Sequence, residues 1–287
     1  MLGVARVPGT CGELVQGMRE GNYFLITCPI NIASKVTVTL KSGAVIHGMP
    51  GKEKALKAVR MILDKFGRSS LGAKVEINNP LPPGKGLASS TADVVAAAVA
   101  TAKALGEELS LETIIRITLS IEPSDGNFLP GIALFDHLHG EYWEYLGESP
   151  PMNILVVDLG GVVDTVLFNQ RQDLFVLNQS KEKDVAKAVQ LVKKGLNEEK
   201  AELIAQGATL SALANQKILY KPELEDILKM AINCGALGVN TAHSGTVIGI
   251  LYRDGEVDVV EMKKKIKDKY PYVDFIEAAI TGGGIRG

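Results

Sequence analysis

The ten residues PPGKGLASST, at positions 82–91, decide how this chain folds and which ligand it binds. They join a strand-like run, KVEIN at 74–78, to an alanine-rich helical run at 92–105. Gly84 and Gly86 allow backbone amides to approach an anion closely, because glycine has no Cβ. The order of strand, glycine loop and helix predicts a phosphate-binding device.

Hydroxyl groups follow the glycines at Ser89, Ser90 and Thr91, where the helix begins. Free N–H groups and the macrodipole attract phosphate to a helix N-terminus. Two better-known phosphate loops do not fit. The P-loop string GxxxxGK followed by Ser or Thr does not occur, and Ser89 stands where GxGxxG needs its third glycine. A helix-capping turn without a ligand is the alternative interpretation.

The composition indicates a globular protein of about two domains. The chain has 287 residues, of which 46% are hydrophobic and 22% charged. A formal net charge of −2 gives no electrostatic footprint for nucleic acid. The most apolar run, residues 94–102, is too short to span a bilayer, and Arg6 and Pro8 interrupt any signal peptide. Three cysteines without CxxC spacing argue against disulfides or zinc. We therefore expect a cytoplasmic protein that binds neither nucleic acid nor membrane.

Strands and helices alternate along the whole chain. Strands are predicted at 4–7, 23–27, 32–40, 74–78, 142–146, 154–158, 246–252 and 273–280. Helices are predicted at 52–66, 92–105, 110–121, 181–196, 198–215, 222–234 and 257–270. Pro150 and Pro151 divide this pattern into two predicted domains, residues 1–150 and 151–287. Mixed elements in both blocks favour an α+β fold in each.

The second informative segment is EPSDG at 122–126. Pro123 disfavours helix at Glu122, and the following residues are typical of a turn. The first and fourth Cα atoms of a β-turn lie within about 7 Å, so Glu122 and Asp125 would face one region. Phosphoryl transfer uses such a pair, one carboxylate to hold Mg²⁺ and one to orient or deprotonate the acceptor hydroxyl. An exposed acidic turn is the alternative.

Two further segments combine glycine with polar residues. PGTCGELVQG at 8–17 indicates a constrained loop after the first strand. Glu13 in that loop suits a substrate ammonium group, although capping of a helix start explains it equally well. HSGTVIG at 243–249 is a glycine-hydroxyl turn that enters an apolar strand. It either contacts phosphate or only turns the chain.

Taken together, these segments resemble the GHMP kinases, which include galactokinase and the homoserine, mevalonate and phosphomevalonate kinases. PPGKGLASST resembles their second motif, P-x-G-x-G-L-G-S-S, and PGTCGEL occupies the place of the first. AHSGTVIGILY at 242–252 resembles the third motif as homoserine kinases have it. The resemblance implies a two-domain GHMP-kinase fold, with an N-terminal nucleotide-binding α+β domain and a C-terminal ferredoxin-like α+β domain.

The resemblance also implies roles for individual residues. Ser90 and Glu122 are similar to the family's Mg²⁺ ligands, and Asp125 is similar to the aspartate that acts as catalytic base. The cofactors implied are ATP and Mg²⁺. The residues implied to surround the ATP phosphates are Pro83, Gly84, Lys85, Gly86, Leu87, Ala88, Ser89, Ser90 and Thr91.

The chain departs from the family pattern at two positions. Ala88 replaces the last glycine of the second motif, which is harmless only if its φ is negative. Thr10 replaces the basic residue of the first motif in galactokinases and mevalonate kinases. Lys85 is a candidate for the missing charge.

Within the family, PGTCGELVQG together with EPSDG is most similar to the L-threonine kinases of cobalamin biosynthesis. A small amino-acid substrate requires a cation for its carboxylate and an acceptor for its ammonium group. Arg171, which follows Asp164 and Thr165, and Arg286 are candidates for the carboxylate, and Glu13 is a candidate for the ammonium. Thr165 is a further candidate substrate residue. Homoserine kinase, another GHMP kinase, and a non-catalytic nucleotide-binding regulator are the alternatives. The sequence leaves the oligomeric state open, a homodimer included.

Overall fold

The structure, a computed structural model, describes residues 1–287 with the exception of the side chains of residues 165 and 166. The strands are β1 (Leu2–Arg19), β2 (Asn22–Ser42), β3 (Ile46–His47), β4 (Leu71–Asn78), β5 (Ile132–Phe135), β6 (Trp143–Gly147), β7 (Asn153–Asp158), β8 (Gly238–Thr241), β9 (Val247–Tyr252) and β10 (Asp274–Ala279). The helices are α1 (Glu53–Lys65), α2 (Ser89–Leu105), α3 (Leu111–Leu119), α4 (Thr165–Asn169), α5 (Leu174–Ser180), α6 (Glu182–Asn197), α7 (Ala201–Asn215), α8 (Leu224–Asn233) and α9 (Val259–Lys269). Within the described part of the chain, none of these helices combines the length and apolar character that crossing a bilayer requires.

One mixed sheet runs through the molecule in the order β10-β7-β9-β8-β1-β2-β4-β3, with β5 paired to β2 and β6 paired to β5. β1 and β2 form a long antiparallel hairpin, in which Leu2 pairs with Thr39 at one end. Glu20 and Gly21 make its turn, and both have positive φ, which matches the twist of a type I′ hairpin. Glu13 pairs with Thr241 at the junction of β1 and β8.

The C-terminal part has the predicted ferredoxin-like arrangement. β7, β8, β9 and β10 follow one another in the chain, with helices between β7 and β8 and between β9 and β10. Their spatial order, β10-β7-β9-β8, is fully antiparallel in its pairings. This is the β-α-β-β-α-β pattern with further helices inserted. Because the sheet continues from β8 into β1, the division at residues 150 and 151 stays a prediction.

α2 is the central helix of the N-terminal part. Nearly all of its side chains are buried, and most of them are alanine or valine. The small side chains allow close contact with β1, where a Cβ on Gly3 would lie 2.0 Å from the Ala100 carbonyl oxygen. Gly106 ends the helix in the left-handed conformation, as its C-cap position predicts.

Most predicted elements are confirmed with shifts of up to three residues at their ends, and Ser110 caps α3 as expected. The two strands predicted at 23–27 and 32–40 form the single strand β2, and the strand predicted at 4–7 is the first part of the longer β1. The interpretation of residues 8–17 as a loop was wrong, because β1 continues through them. Register shifts between Pro8 and Val15 keep the strand paired to β2 while it bends. Sequence reasoning also missed β3, β5, β8, α4 and α5, which are all short.

The carbonyl groups of the loop at 84–87 are all bound by neighbouring segments. The amides of Thr10 and Gly12 on β1 donate to the carbonyls of Leu87 and Gly86, at 3.1 and 3.0 Å. Thr246 and Val247 at the start of β9 both donate to the Lys85 carbonyl, at 3.0 and 3.2 Å. Val163 donates to Gly84, at 3.0 Å. Three separate segments therefore hold the loop from its carbonyl side.

The amide side of the same loop is unused. Within the described residues, no backbone N–H of residues 84–91 donates a hydrogen bond. Gly84, Gly86 and Ala88 have φ of 71°, 87° and 53°, so all three are left-handed. Ala88 therefore does not meet the condition of a negative φ under which its replacement of glycine would be harmless. An alanine in this conformation costs on the order of 1–2 kcal/mol, which the contacts of the loop must offset.

Gly86 and Gly106 provide a matched test of this loop, since both have strongly positive φ. A Cβ on Gly86 would lie 2.1 Å from Ala242 Cβ, whereas a Cβ on Gly106 would meet nothing within 4 Å. We expect Gly106→Ala to lower the free energy of unfolding by about 1 kcal/mol, through backbone strain alone. Gly86→Ala should cost more and should also weaken ATP binding at least about 10-fold, because the loop must move.

Urea unfolding and calorimetric titration with ATP measure both quantities in each variant. If Gly86→Ala bound ATP as tightly as Gly106→Ala does, the loop would not be the phosphate site.

Candidate active site

Two cavities meet at the N-terminus of α2. The larger, about 320 Å³, extends toward the start of α1 and includes Lys52, Lys54 and Asp93 in its wall. The smaller, about 90 Å³, extends toward β1 and is bordered by Glu13 and Asp125. The residues that line both are Pro83, Gly84, Ser89, Ser90 and Glu122. The predicted phosphate loop and both acids of EPSDG therefore lie at one place.

Ser90 and Glu122 are in direct contact at the boundary of the two cavities. The Ser90 hydroxyl donates to Glu122 Oε1, and the Lys54 ammonium forms a salt bridge with Glu122 Oε2. The Glu122 side chain is buried, with 7% of its surface exposed, whereas that of Lys54 is 49% exposed. Hydroxyl and carboxylate oxygens are the ligands that Mg²⁺ prefers. The Lys54 ammonium shows that the Glu122 carboxylate accepts a cation at this place. With the Ser90 hydroxyl beside it, the pair of oxygen donors fits a magnesium ion.

A second buried carboxylate, Asp93, fixes the start of α2. It accepts hydrogen bonds from Ser34 Oγ at 2.6 Å and Asn79 Nδ2 at 2.7 Å. Lys52 pairs with its other oxygen at 2.7 Å. The Asn79 amide also donates to Ser89 Oγ at 3.1 Å. This network connects the end of β4 to the helix and holds Lys52 beside the larger cavity.

Asp125 and Glu13 are the carboxylates of the smaller cavity. Burial and the neighbouring Glu122 charge raise the pKa of Asp125 from 3.8 to about 6. Burial and the charge of Asp125 raise the pKa of Glu13 well above its ordinary value. Glu13 Oε2 accepts a hydrogen bond from the His243 amide at 2.5 Å. A cation that entered between the two carboxylates would reduce their repulsion.

The cations predicted from sequence have other partners. Lys85 pairs with Asp158 at 2.9 Å, so its ammonium is already neutralised by a carboxylate. Arg171 makes hydrogen bonds of 3.0 and 2.7 Å to Asp173. Arg286 donates to Thr281 and to the Gly282 carbonyl, both at 3.0 Å. The side chain of Thr165 lies outside the described residues.

His243 links the third motif to the first. Its ring packs edge-on against His137 at 5.2 Å and against Phe168 at 5.0 Å. Burial lowers the pKa of His137 to about 4 and that of His243 well below 6.5, so both rings are neutral at pH 7. Cys11 is also buried, and the Asn240 side-chain amide donates to its carbonyl at 2.6 Å. Phe168 and His137 therefore pack around His243, whose amide donates to Glu13.

Four lysines near the site were missed by sequence reasoning. Lys52 and Lys54 follow Gly51 at the start of α1, where they read as the solvent face of a helix. Lys181 and Lys221 are buried, although lysine is rarely found fully buried without a partner. For Lys52 and Lys54, the only sequence signal of a role in the site was a turn with two lysines at the start of an amphipathic helix.

The comparisons with known proteins agree with this geometry. The family model for the GHMP kinases N terminal domain matches residues 53–130, and that for the GHMP kinases C terminal matches residues 188–271. An L-threonine kinase from Salmonella typhimurium is 31% identical over 93% of this chain and 88% of its own length. An L-threonine kinase from Citrobacter freundii is 30% identical over 98% of this chain and 99% of its own length.

The fold is similar to that of solved GHMP kinases. A homoserine kinase from Cytophaga hutchinsonii superimposes with a TM-score of 0.76 at 18% identity, and the match covers 99% of this chain and 96% of that one. At that identity the likeness shows the fold alone. The two family models and the L-threonine kinases show that this chain belongs to the GHMP kinases and is itself a kinase.

Proposed function

We propose that this kinase transfers the γ-phosphoryl group of ATP to the side-chain hydroxyl of L-threonine, giving O-phospho-L-threonine. The observation that carries the proposal is the pair of cavities that meet at Ser90 and Glu122. One is bordered by lysines and free amides and suits a polyanion. The other is bordered by Glu13 and Asp125 and suits an ammonium group beside a hydroxyl. The similarity to L-threonine kinases supports this acceptor and, with it, a role in cobalamin biosynthesis.

On the nucleotide side, the amides of residues 84–91 and the ammonium groups of Lys52 and Lys54 would bind the triphosphate. Ser90 and Glu122 would hold Mg²⁺. The bound metal would supply charge neutralisation on the phosphate oxygens. Lys54 contacts Glu122 in the structure and would be free to turn to a phosphate when a metal takes its place.

On the acceptor side, Asp125 would accept the proton of the threonine hydroxyl as the new O–P bond forms. The bond from the γ-phosphorus to the β–γ bridging oxygen breaks, and ADP leaves with that electron pair. A loose transition state leaves the hydroxyl largely protonated until late, so positioning contributes more than basicity. A pKa of about 6 leaves Asp125 ionised at pH 7 while making it a stronger base than an ordinary aspartate.

The acceptor is tested by ADP release with L-threonine, L-serine, L-homoserine, mevalonate and galactose. We expect the highest kcat/KM with L-threonine. The hydroxyl of homoserine lies one methylene further from Cα, and such a difference is worth about 10- to 200-fold. Preference for homoserine would identify a homoserine kinase instead. ADP release with none of the five would favour a nucleotide-binding regulator.

Asp125→Asn should lower kcat by about 10²- to 10⁴-fold while ATP binding is retained. The wild-type kcat/KM should fall as the pH drops below about 6, because Asp125 then holds a proton. The variant should lack that limb of the pH profile. Asp64→Asn removes a half-exposed carboxylate on α1 and serves as the control. Wild-type turnover in Asp125→Asn would remove Asp125 from the role of base.

Glu122→Gln and Ser90→Ala should both raise the Mg²⁺ concentration needed for half-maximal activity, because each removes a proposed ligand. Ser89→Ala is the matched control. Its hydroxyl donates to the Leu81 carbonyl at 2.9 Å, so its loss should cost about 1 kcal/mol of stability without changing the Mg²⁺ requirement. An unchanged requirement in Glu122→Gln would exclude that carboxylate from the metal site.

A further inference from the structure

An amino-acid acceptor brings a carboxylate into the molecule, and this carboxylate needs a cation. This step rests on the proposed function. Arg171, Arg286 and Lys85 are each engaged with other groups. The remaining candidates are two buried lysines of the C-terminal part, Lys181 before α6 and Lys221 before α8, which lie behind the wall of the smaller cavity and are not part of it.

The two lysines differ in how their ammonium groups are satisfied. Lys181 Nζ donates to Asn215 Oδ1 at 2.9 Å and to the Gln16 carbonyl at 3.2 Å. Lys221 Nζ is enclosed and has no hydrogen-bond partner within the described residues. Its backbone is fixed by two bonds to the Gln216 amide, of 2.8 and 2.9 Å. Lys181 is therefore a structural cation, whereas Lys221 has three donors available for a ligand.

Lys221 belongs to a segment that packs toward Glu13. Ile218 in this segment shares a hydrophobic cluster with Phe168. The Phe168 ring packs on His243 at 5.0 Å, and the His243 amide donates to Glu13. The Lys221 charge accordingly opposes the rise in the pKa of Glu13 and contributes to the fall in the pKa of His243. Glu13 borders the smaller cavity together with Asp125 and Ser244. An ammonium on a flexible four-carbon stem is able to turn toward a ligand that binds at Glu13.

Other unsatisfied polar atoms belong to residues that neighbour Glu13 or contact its partners Thr241 and His243. Thr27 is the β2 partner of Glu13, and its hydroxyl has no partner within the described residues. The same holds for Gln16 Oε1, whose amide group donates to Thr241, and for His137 Nδ1, whose ring packs on His243. Buried polar groups normally find partners. Unused acceptors beside an unused ammonium match a zwitterion, with its ammonium and its carboxylate.

We propose that Lys221 binds the carboxylate of the amino-acid acceptor, while Glu13 binds its ammonium group. Lys221 is then the residue by which this kinase distinguishes an amino acid from a simple amino alcohol. A purely structural role, in which Lys221 only balances the charge of Glu13, is the competing explanation.

The test compares L-threonine with (R)-1-amino-2-propanol, which has the same hydroxyl and ammonium groups but no carboxylate. Wild-type kcat/KM should be at least about 100-fold higher for L-threonine, since an unpaired buried charge is costly. Lys221→Met should lower kcat/KM for L-threonine about 100-fold and leave that for the amino alcohol within about 3-fold. Lys221→Arg should restore part of the preference.

Several outcomes would overturn this inference. An equal loss of kcat/KM for both substrates in Lys221→Met would indicate the structural role. Lys181→Met is the control, because loss of a structural lysine should lower kcat/KM for both substrates equally. If Lys221→Met does not fold, the comparison of the two substrates in the wild type still tests the inference. Equal kcat/KM for L-threonine and the amino alcohol would exclude recognition of the carboxylate. Absence of ADP release with L-threonine in the wild type is a separate result, which contradicts the proposed function itself.

Discussion

The direction of the peptide groups in residues 84–87 is the constraint on which the rest of the site depends. In a trans peptide the N–H and C=O groups point in opposite directions. Once Thr10, Gly12, Val163 and Thr246 bind the carbonyls of this loop, its amides face the other way. The first and third motifs therefore act here as supports that orient the second. Positive φ at Gly84, Gly86 and Ala88 is the local consequence of that orientation.

Sequence reasoning succeeded where the signal is local. The glycines and hydroxyls of 82–91, the proline at Pro123 and the cap at Ser110 each determine backbone conformation within a few residues. The meeting of Glu122 with Ser90 followed from the family resemblance, and the structure brings the two side chains into contact.

Non-local pairing explains what the sequence did not reveal. Residues 8–17 contain three glycines and a proline and read as a loop, yet β2 and β8 pair with them on both sides. The partner of Lys85 is Asp158, 73 positions away, so no local pattern indicates its direction. Lys181 and Lys221 occur in ordinary polar surroundings, and only the tertiary fold encloses them.

Charge is distributed unevenly between the two cavities. On the side of the larger one, Asp93 and Glu122 are each paired with a lysine. On the side of the smaller cavity, Glu13 and Asp125 form no salt bridge within the described residues. The charge of Asp125 raises the pKa of Glu13, and the charge of Glu122 raises the pKa of Asp125. A polyanion is therefore favoured on one side of Ser90 and a cation on the other. In the proposed reaction, this polarity would orient donor and acceptor before any substrate-specific contact is made.

The raised pKa of Asp125 lowers the stability of the folded protein at neutral pH, although it makes this carboxylate a stronger base. A folded-state pKa of about 6 against 3.8 means that the folded protein holds this proton more tightly than the unfolded chain. The associated stability is fully present below about pH 3.8 and is lost as the pH rises through about 6. At neutral pH the repulsion between these carboxylates therefore lowers the stability of the folded protein. In the proposed reaction, the ammonium group of the substrate would lower the pKa of both acids, so substrate binding and ionisation of the proposed base would support each other.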